Sequence, residues 1–168
     1  MFLRINRDRK AVRPYDNYRV ALQAGMELEV RVHAEVAACN LEVAVTPSAN
    51  KVAAVQALLS ITARDVNNGG LIRDVLTTAE SAWGRTPESW DNMILRAIGT
   101  IINKNRANID LKRLGTILRK KQVGMWKAAA VATAVGGGGS ESRSNRLVEI
   151  IAVNYNTGLR KTDRHIHF

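Results

Sequence analysis

The sequence contains few of the residues that interrupt helices or cross-link chains. Its 168 residues include three prolines, two phenylalanines and one cysteine. A lone cysteine, Cys39, excludes an internal disulfide, as is typical of proteins in the reducing cytoplasm. Because prolines are so few and alanine-rich runs are frequent, a helical fold is favoured over an all-β one.

Long apolar runs are also missing. The longest weakly polar stretch, residues 125–139, contains Lys127 and is shorter than the roughly 20 residues that a membrane-spanning helix needs. The opening MFLRINRDRKAVRP carries charges without a following apolar stretch, so it does not indicate a signal peptide. We therefore predict no membrane partner and a cytoplasmic location.

Motifs for catalysis or metal binding are weak or absent. The glycine run at 136–139 lacks the Lys-Ser/Thr of a phosphate-binding loop, and His33 stands alone. No Ser/His/Asp set or carboxylate pair falls on one predicted face. The DRHIH stretch at 163–167 could bind a metal, but we interpret it as part of a disordered polar tail. We predict no catalytic residue, no cofactor and no metal site.

Positive charge, by contrast, is abundant and unevenly placed. The formal net charge is +10. Residues 1–20 have net +4 and residues 21–100 net −3, whereas residues 101–168, with thirteen basic and four acidic side chains, have net +9. Two basic ends around a mildly acidic middle favour a polyanion or an acidic protein as partner.

Apolar residues recur at helical spacing along most of the chain. Leu28, Val32 and Val36 are one series, and Leu147, Ile151 and Tyr155 are another. Further helices are predicted to start at Asp16, at Ser48 or Asn50, at Leu71, at Pro87, after Asp110 and at Val123. The alternating residues 41–46 predict a short strand or extended segment.

Three boundaries carry local signals, and the strongest of them is Thr86-Pro87-Glu88-Ser89. Gly84 is placed to end the helix that starts at Leu71, and Asp110 is placed to cap the helix after it. Thr86 and Pro87 have the residue types of an N-cap and a first helical position, so one helix is predicted from Pro87 to about Asn103, carrying Trp90. Trp83, Trp90 and Trp126 are interpreted as core residues.

The sequence therefore predicts an all-α fold: one compact domain of about six or seven helices, with room for one short β element near 41–46. Residues 1–16 form a basic N-terminal segment and residues 159–168 a polar tail. Residues 136–140 are interpreted as a connection between helices, because the chain after them offers one helix and could not bury a core alone. An engineered linker remains the alternative.

Several stretches resemble the C-terminal region of an uncharacterised family of ParB-like proteins associated with plasmids or phages. The most specific are AWG at 82–84, SWDN at 89–92, ILRAIG at 94–99 and VNYNTGLR at 153–160. In that family the region follows a ParB/sulfiredoxin-like domain, whose phosphate motif is not found in this chain. The resemblance implies a helical architecture and DNA as a partner, without assigning a site.

The residues themselves point to phosphate contacts in the basic C-terminal part. The candidate nucleic-acid-binding residues are Lys104, Arg106, Lys112, Arg113, Arg119, Lys120, Lys121, Lys127, Arg143, Arg146, Arg160 and Lys161. Few aromatics are interleaved, which favours duplex DNA over single strands. We predict a non-catalytic accessory domain that binds duplex DNA.

Three alternatives stay open. The basic residues could be a solvated face without a partner, or part of a protein-interaction or oligomerisation module that binds an acidic partner or the ParB-like domain. A helix-turn-helix over residues 27–64 is the third, although its second helix would offer only Lys51, Gln56 and Arg64 as base-reading side chains.

Overall fold

The computed structural model describes residues 12–133, 139–160 and 163–168, and this part of the chain is mostly helical. The elements are α1 (Pro14–Gln23), α2 (Glu27–Ala38), β1 (Glu42–Val43), β2 (Lys51–Val52), α3 (Val55–Arg64), α4 (Leu71–Trp83), a 3₁₀ helix (Pro87–Trp90), α5 (Asn92–Asn105), α6 (Leu111–Arg119), α7 (Val123–Ala132) and α8 (Ser140–Asn156). The all-α prediction with a short β element is confirmed. The described residues contain eight α-helices, one more than the predicted maximum.

α4 ends and α6 begins where predicted. α4 covers the predicted range and is followed by Gly84. Asp110 caps α6, since its Oδ1 accepts hydrogen bonds from the N–H groups of Lys112 at 2.9 Å and Arg113 at 3.1 Å. These boundaries depend on residues within a few positions of each other, which explains why the sequence alone predicts them.

The helix predicted from Pro87 is wrong in detail, because two elements occupy that segment. Thr86 does cap, but it begins a single 3₁₀ turn that ends at Trp90. Asp91 is extended, and its Oδ1 accepts from the N–H groups of Met93 and Ile94. Asp91 is therefore the N-cap of a separate helix, α5.

The predicted helix start at Ser48 or Asn50 is also wrong. Lys51 and Val52 pair in parallel with Glu42 and Val43, and α3 begins only at Val55. Trp90 donates from its Nε1 to the Ala49 carbonyl at 3.1 Å. This hydrogen bond fixes the loop between β1 and β2. The segment 39–54 between α2 and α3 is thus much longer than a helix-turn-helix turn, and that hypothesis is excluded.

Buried side chains from α1 to the C-terminal segment form one contiguous core. α5 packs against α3, α4 and α8, and α7 packs directly on α8. Trp90 and Trp126 are buried as predicted, while Trp83 is half-buried and donates to the Lys121 carbonyl. The helices on both sides of the glycine-rich connection therefore share one core. Residues 134–138 of that connection, and residues 1–11, lie outside the described part.

The C-terminal residues 163–168 pack against the core, which contradicts the predicted disordered tail. Ile166 is 1% exposed. The Asn156 side chain donates to the Ile166 carbonyl and accepts from its N–H, and Asn105 makes the same pair of bonds with His167. Two buried or half-buried amides thus hold this segment as a strand partner would.

Two helical glycines differ in what surrounds them. A Cβ at Gly99 would lie 2.9 Å from Cγ1 of Ile61, so glycine lets α5 approach α3 closely. A Cβ at Gly124, in the first turn of α7, would meet nothing within 4 Å. Gly99 is therefore explained by packing within the chain, whereas Gly124 is not.

The same substitution should have opposite effects at these two positions. We expect Gly99→Ala to lower the free energy of unfolding by about 1–3 kcal/mol through overpacking. Gly124→Ala should raise it by about 0.5–1 kcal/mol, because alanine has the higher helix propensity. Urea denaturation followed by circular dichroism measures both, and changes of the same sign would contradict this account.

Among the described residues, none of the helices combines the length and apolar character that crossing a bilayer requires.

Candidate nucleic-acid interface

α6 is the helix that presents the largest number of candidate cations. Its buried stripe consists of Leu114, Ile117 and Leu118, which face α4 and α8. At helical spacing this leaves Lys112 and Arg119 outside, and Lys120 follows at the C-cap. All three are exposed.

A groove of about 380 Å³ runs between α4 and α6 and collects both charge and hydroxyl groups. Its basic residues are Arg73, Lys112 and Arg119, and its hydroxyl residues are Thr77, Thr78, Ser81 and Thr116. Gly115 allows α4 and α6 to pack closely, because a Cβ at this position would collide with Ser81 Oγ. The groove between the two helices is therefore narrow. Arginine, lysine, serine and threonine are the side chains that most often contact phosphate oxygens.

Hydrogen bonds within the chain fix the two arginines of the groove but do not occupy all of their N–H donors. Arg119 donates to the Ser81 carbonyl, and Arg73 forms an ion pair with Glu35 at 2.5 Å with 54% of its side chain exposed. A guanidinium has five N–H donors, so each arginine retains donors for a ligand. No ion pair of Lys112 or Lys120 is found in the described part of the chain.

One acidic residue, Asp74, also lines the groove. Burial raises the pKa of its carboxyl group above the ordinary value, although Arg106 at 3.5 Å and Arg73 act in the opposite direction. The negative charge of this carboxylate disfavours phosphate binding at the end of the groove where Asp74 lies. The cationic part of the surface therefore lies toward Arg119 and Lys120, away from Asp74.

Arg113 is half-buried and engaged within the fold, unlike the exposed Lys112 and Arg119 of the same helix. Its guanidinium donates to the Tyr155 carbonyl at 2.7 and 3.0 Å and to the Thr157 carbonyl at 3.0 Å, and it lies 5.2 Å from the centroid of the Tyr155 ring. These carbonyls end α8, where a cation is favoured by the helix dipole. Arg113 thus joins α6 to α8.

Lys127 is also engaged within the fold. Its ammonium lies 2.6 Å from Oδ2 of Asp91, the residue that caps α5. Neutralised in this way and distant in the fold from the α4–α6 groove lining, it does not extend the basic surface.

The other candidates are scattered. Arg106 pairs with Asp74 and lies 3.9 Å from Asp65, Arg146 pairs with Glu149, and Lys121 lies 4.8 Å from the Trp126 ring centroid. Lys104, Arg143 and Arg160 are exposed on α5, on α8 and after α8. Lys161 lies outside the described residues. Of the twelve predicted residues, the structure brings Lys112, Arg119 and Lys120 into one surface, which we call the α6 basic surface.

Sequence reasoning missed the α4 side of the groove. Arg73, Thr77 and Ser81 are spaced i, i+4 and i+8, so they form one polar ridge along α4. This spacing could have been noticed, but only the packing of α4 on α6 shows that the ridge faces Lys112 and Arg119.

A metal-binding cluster is also absent from the part of the chain that the structure describes. Within the described ranges, no three His, Cys, Asp or Glu residues lie close enough to hold an ion. His33 is exposed, and Cys39 is half-buried with its thiol pKa raised by burial. Neither residue lines the groove.

No family model, no curated protein and no solved structure matches this chain. The resemblance to ParB-like proteins therefore stays a prediction, and the functional argument depends on the geometry of the chain itself.

Proposed function

We propose that this protein is a non-catalytic nucleic-acid-binding domain that holds the phosphate backbone of duplex DNA in the cytoplasm. The α6 basic surface and the facing ridge of α4 are its contact region. The observation that carries this proposal is the joint placement of Lys112, Arg119 and Arg73 along one groove, beside the exposed hydroxyl residue Thr77. Such contacts position a duplex without reading its sequence, so we expect little sequence preference.

The length of the groove suits a few phosphates rather than an extended site. Residues 111–119 rise about 12 Å along the helix axis, at 1.5 Å per residue. Each phosphate neutralised by a cation contributes about 0.9 to the slope of log K against log salt. The three cations of the α6 basic surface therefore predict a slope near −2.7, with further contributions from cations elsewhere on the molecule.

The test is binding to a fluorescent duplex of random sequence, by anisotropy, at salt concentrations from about 50 to 300 mM. The triple variant Lys112→Ala/Arg119→Ala/Lys120→Ala should lose affinity by about 10- to 100-fold at the low-salt end and reduce the slope by 2 to 3. The matched control is Arg19→Ala/Lys51→Ala/Arg64→Ala, which removes three exposed cations from α1, β2 and α3. It should bind nearly as the wild type does.

Equal losses in the two triple variants would mean that net charge alone attracts DNA, which would contradict a defined interface. The absence of wild-type binding at low salt would overturn the proposal. The second hypothesis, an acidic protein partner for the same surface, predicts that polyglutamate competes with the duplex at equal charge. If the groove binds DNA, polyglutamate should fail to displace the duplex at every salt concentration.

A further inference from the structure

A second cleft lies on another part of the molecule and has a different chemical character. It has a volume of about 590 Å³ and is formed where the β2–α3 link, the 3₁₀ helix and the first turns of α5 and α7 meet. Apolar groups of Pro47, Ala54, Pro87, Trp90 and Val123 line it. A mainly apolar cleft of this size with a few polar groups at its edge is typical of a binding site.

The charge at the edge of this cleft is opposite to that of the α6 basic surface. Lys127 is neutralised by Asp91 at 2.6 Å. Glu88 is exposed, and no ion pair of this residue is found in the part of the chain that the structure describes. With Glu88, Asp91 and Lys127 together, the edge has a net charge of −1. The exposed carboxylate of Glu88 complements a cation.

Gly124 adds an independent observation. Glycine is unfavourable inside a helix unless another group must come close, as Ile61 does at Gly99. Gly124 is exposed and lines the cleft, and apart from its chain neighbours and its own helix backbone no group of the described chain comes within 4 Å of the position of a Cβ. The space that glycine leaves there is open to a molecule from outside the chain.

We propose that this cleft binds a short extended segment of a partner protein in which an apolar side chain lies next to a lysine or arginine. The apolar side chain packs over Trp90 and Val123 and beside Gly124. The basic side chain pairs with Glu88, and the Asn92 amide and the remaining Lys127 donors lie on the same edge for the segment's backbone carbonyls. This site does not depend on the proposed DNA binding.

The experiment is selection from a library of random heptapeptides on the wild-type protein, with counter-selection on Gly124→Leu. The leucine fills the cleft from an open position, so this variant should fold with an unchanged or higher melting temperature, by about 2–4 °C. Acidic peptides that attach to the α6 basic surface bind both forms and are removed. The expected survivors have an apolar residue beside lysine or arginine.

Binding of the selected peptides should then fall at least tenfold in Gly124→Leu and about threefold in Glu88→Gln, a size typical of an exposed ion pair. It should not change in Lys112→Ala/Arg119→Ala/Lys120→Ala, and Gly124→Leu should bind DNA as the wild type does. An empty selection, survivors without a basic residue, or equal binding to Gly124→Leu would overturn the proposal. So would loss of DNA binding in the folded Gly124→Leu protein, because the cleft would then belong to the nucleic-acid site.

Discussion

Ile166→Ala should lower the free energy of unfolding by about 2–5 kcal/mol, although the residue lies in a stretch of polar side chains. Ile166 is 1% exposed, and its backbone N–H and carbonyl both bond to the side chain of Asn156. Removing three carbons from this position leaves a cavity that the two anchoring amides prevent from closing. Urea denaturation gives the change directly.

Phe168→Ala is the matched control for this prediction. Phe168 belongs to the same segment and is the larger side chain, but it is 58% exposed. Its truncation should change the free energy of unfolding by no more than about 0.5 kcal/mol. No loss for Ile166→Ala would show that residues 163–168 contribute nothing to the core in solution, and a loss of similar size for Phe168→Ala would show that the effect does not depend on the burial of Ile166.

Asp65→Ala is expected to lower the free energy of unfolding by about 2–4 kcal/mol, since it removes two charge-assisted hydrogen bonds that a buried carboxylate accepts. The Asp65 carboxylate accepts from the N–H of Gly69 and from that of Leu71, both at 3.0 Å, and thereby closes the turn that starts α4. Gly70 in this turn has φ +74°, which glycine adopts without strain. Without the carboxylate, the Leu71 N–H is buried and unpaired.

Glu42→Ala provides the control, because Glu42 is an exposed carboxylate with a loose ion pair to Lys51 at 3.9 Å. Its removal should change stability by no more than about 0.5 kcal/mol. If it costs as much as Asp65→Ala, the effect comes from net charge and the turn has no special role.

The Asp65 prediction has a defined pH dependence. Burial by itself would raise the pKa of Asp65, but the N–H groups of Leu71 and Gly69, with Arg106 nearby, hold that pKa below its ordinary value of 3.8. A carboxylate with a lowered pKa stabilises the fold above the unfolded value, and this contribution is lost as the pH falls through the folded value. The stability difference between wild type and Asp65→Asn should therefore be full at neutral pH and shrink below about pH 4.

The fold was predictable where short-range signals decide the structure. α4 and the start of α6 follow from Gly84 and Asp110, which act on residues of the same turn. The β2 strand and the break before α5 were not predictable in this way. Val52 joins β1 only because the chain returns to Val43, and the Ala49 loop is bonded to Trp90, 41 residues away.

The candidate site shows the same limit. Lys112 and Arg119 were found by their charge and helical position, and the structure keeps them on one surface. The contacts that engage Arg113 and Lys127 within the fold were not predictable, because their acceptors, the Tyr155 carbonyl and Asp91, are 42 and 36 residues distant. Arg73 was left out because it lies on another helix, in the mildly acidic middle of the chain.

The sequence by itself determined the helical class, most helix positions and the accumulation of positive charge after residue 100. These properties follow from periodicity, capping and composition, which act locally or need no structure at all. Only the tertiary structure decided which cations remain free for a partner, and that Ile166 is part of the core. Ion pairing and burial depend on contacts between residues far apart in the chain, and no short-range pattern encodes such contacts.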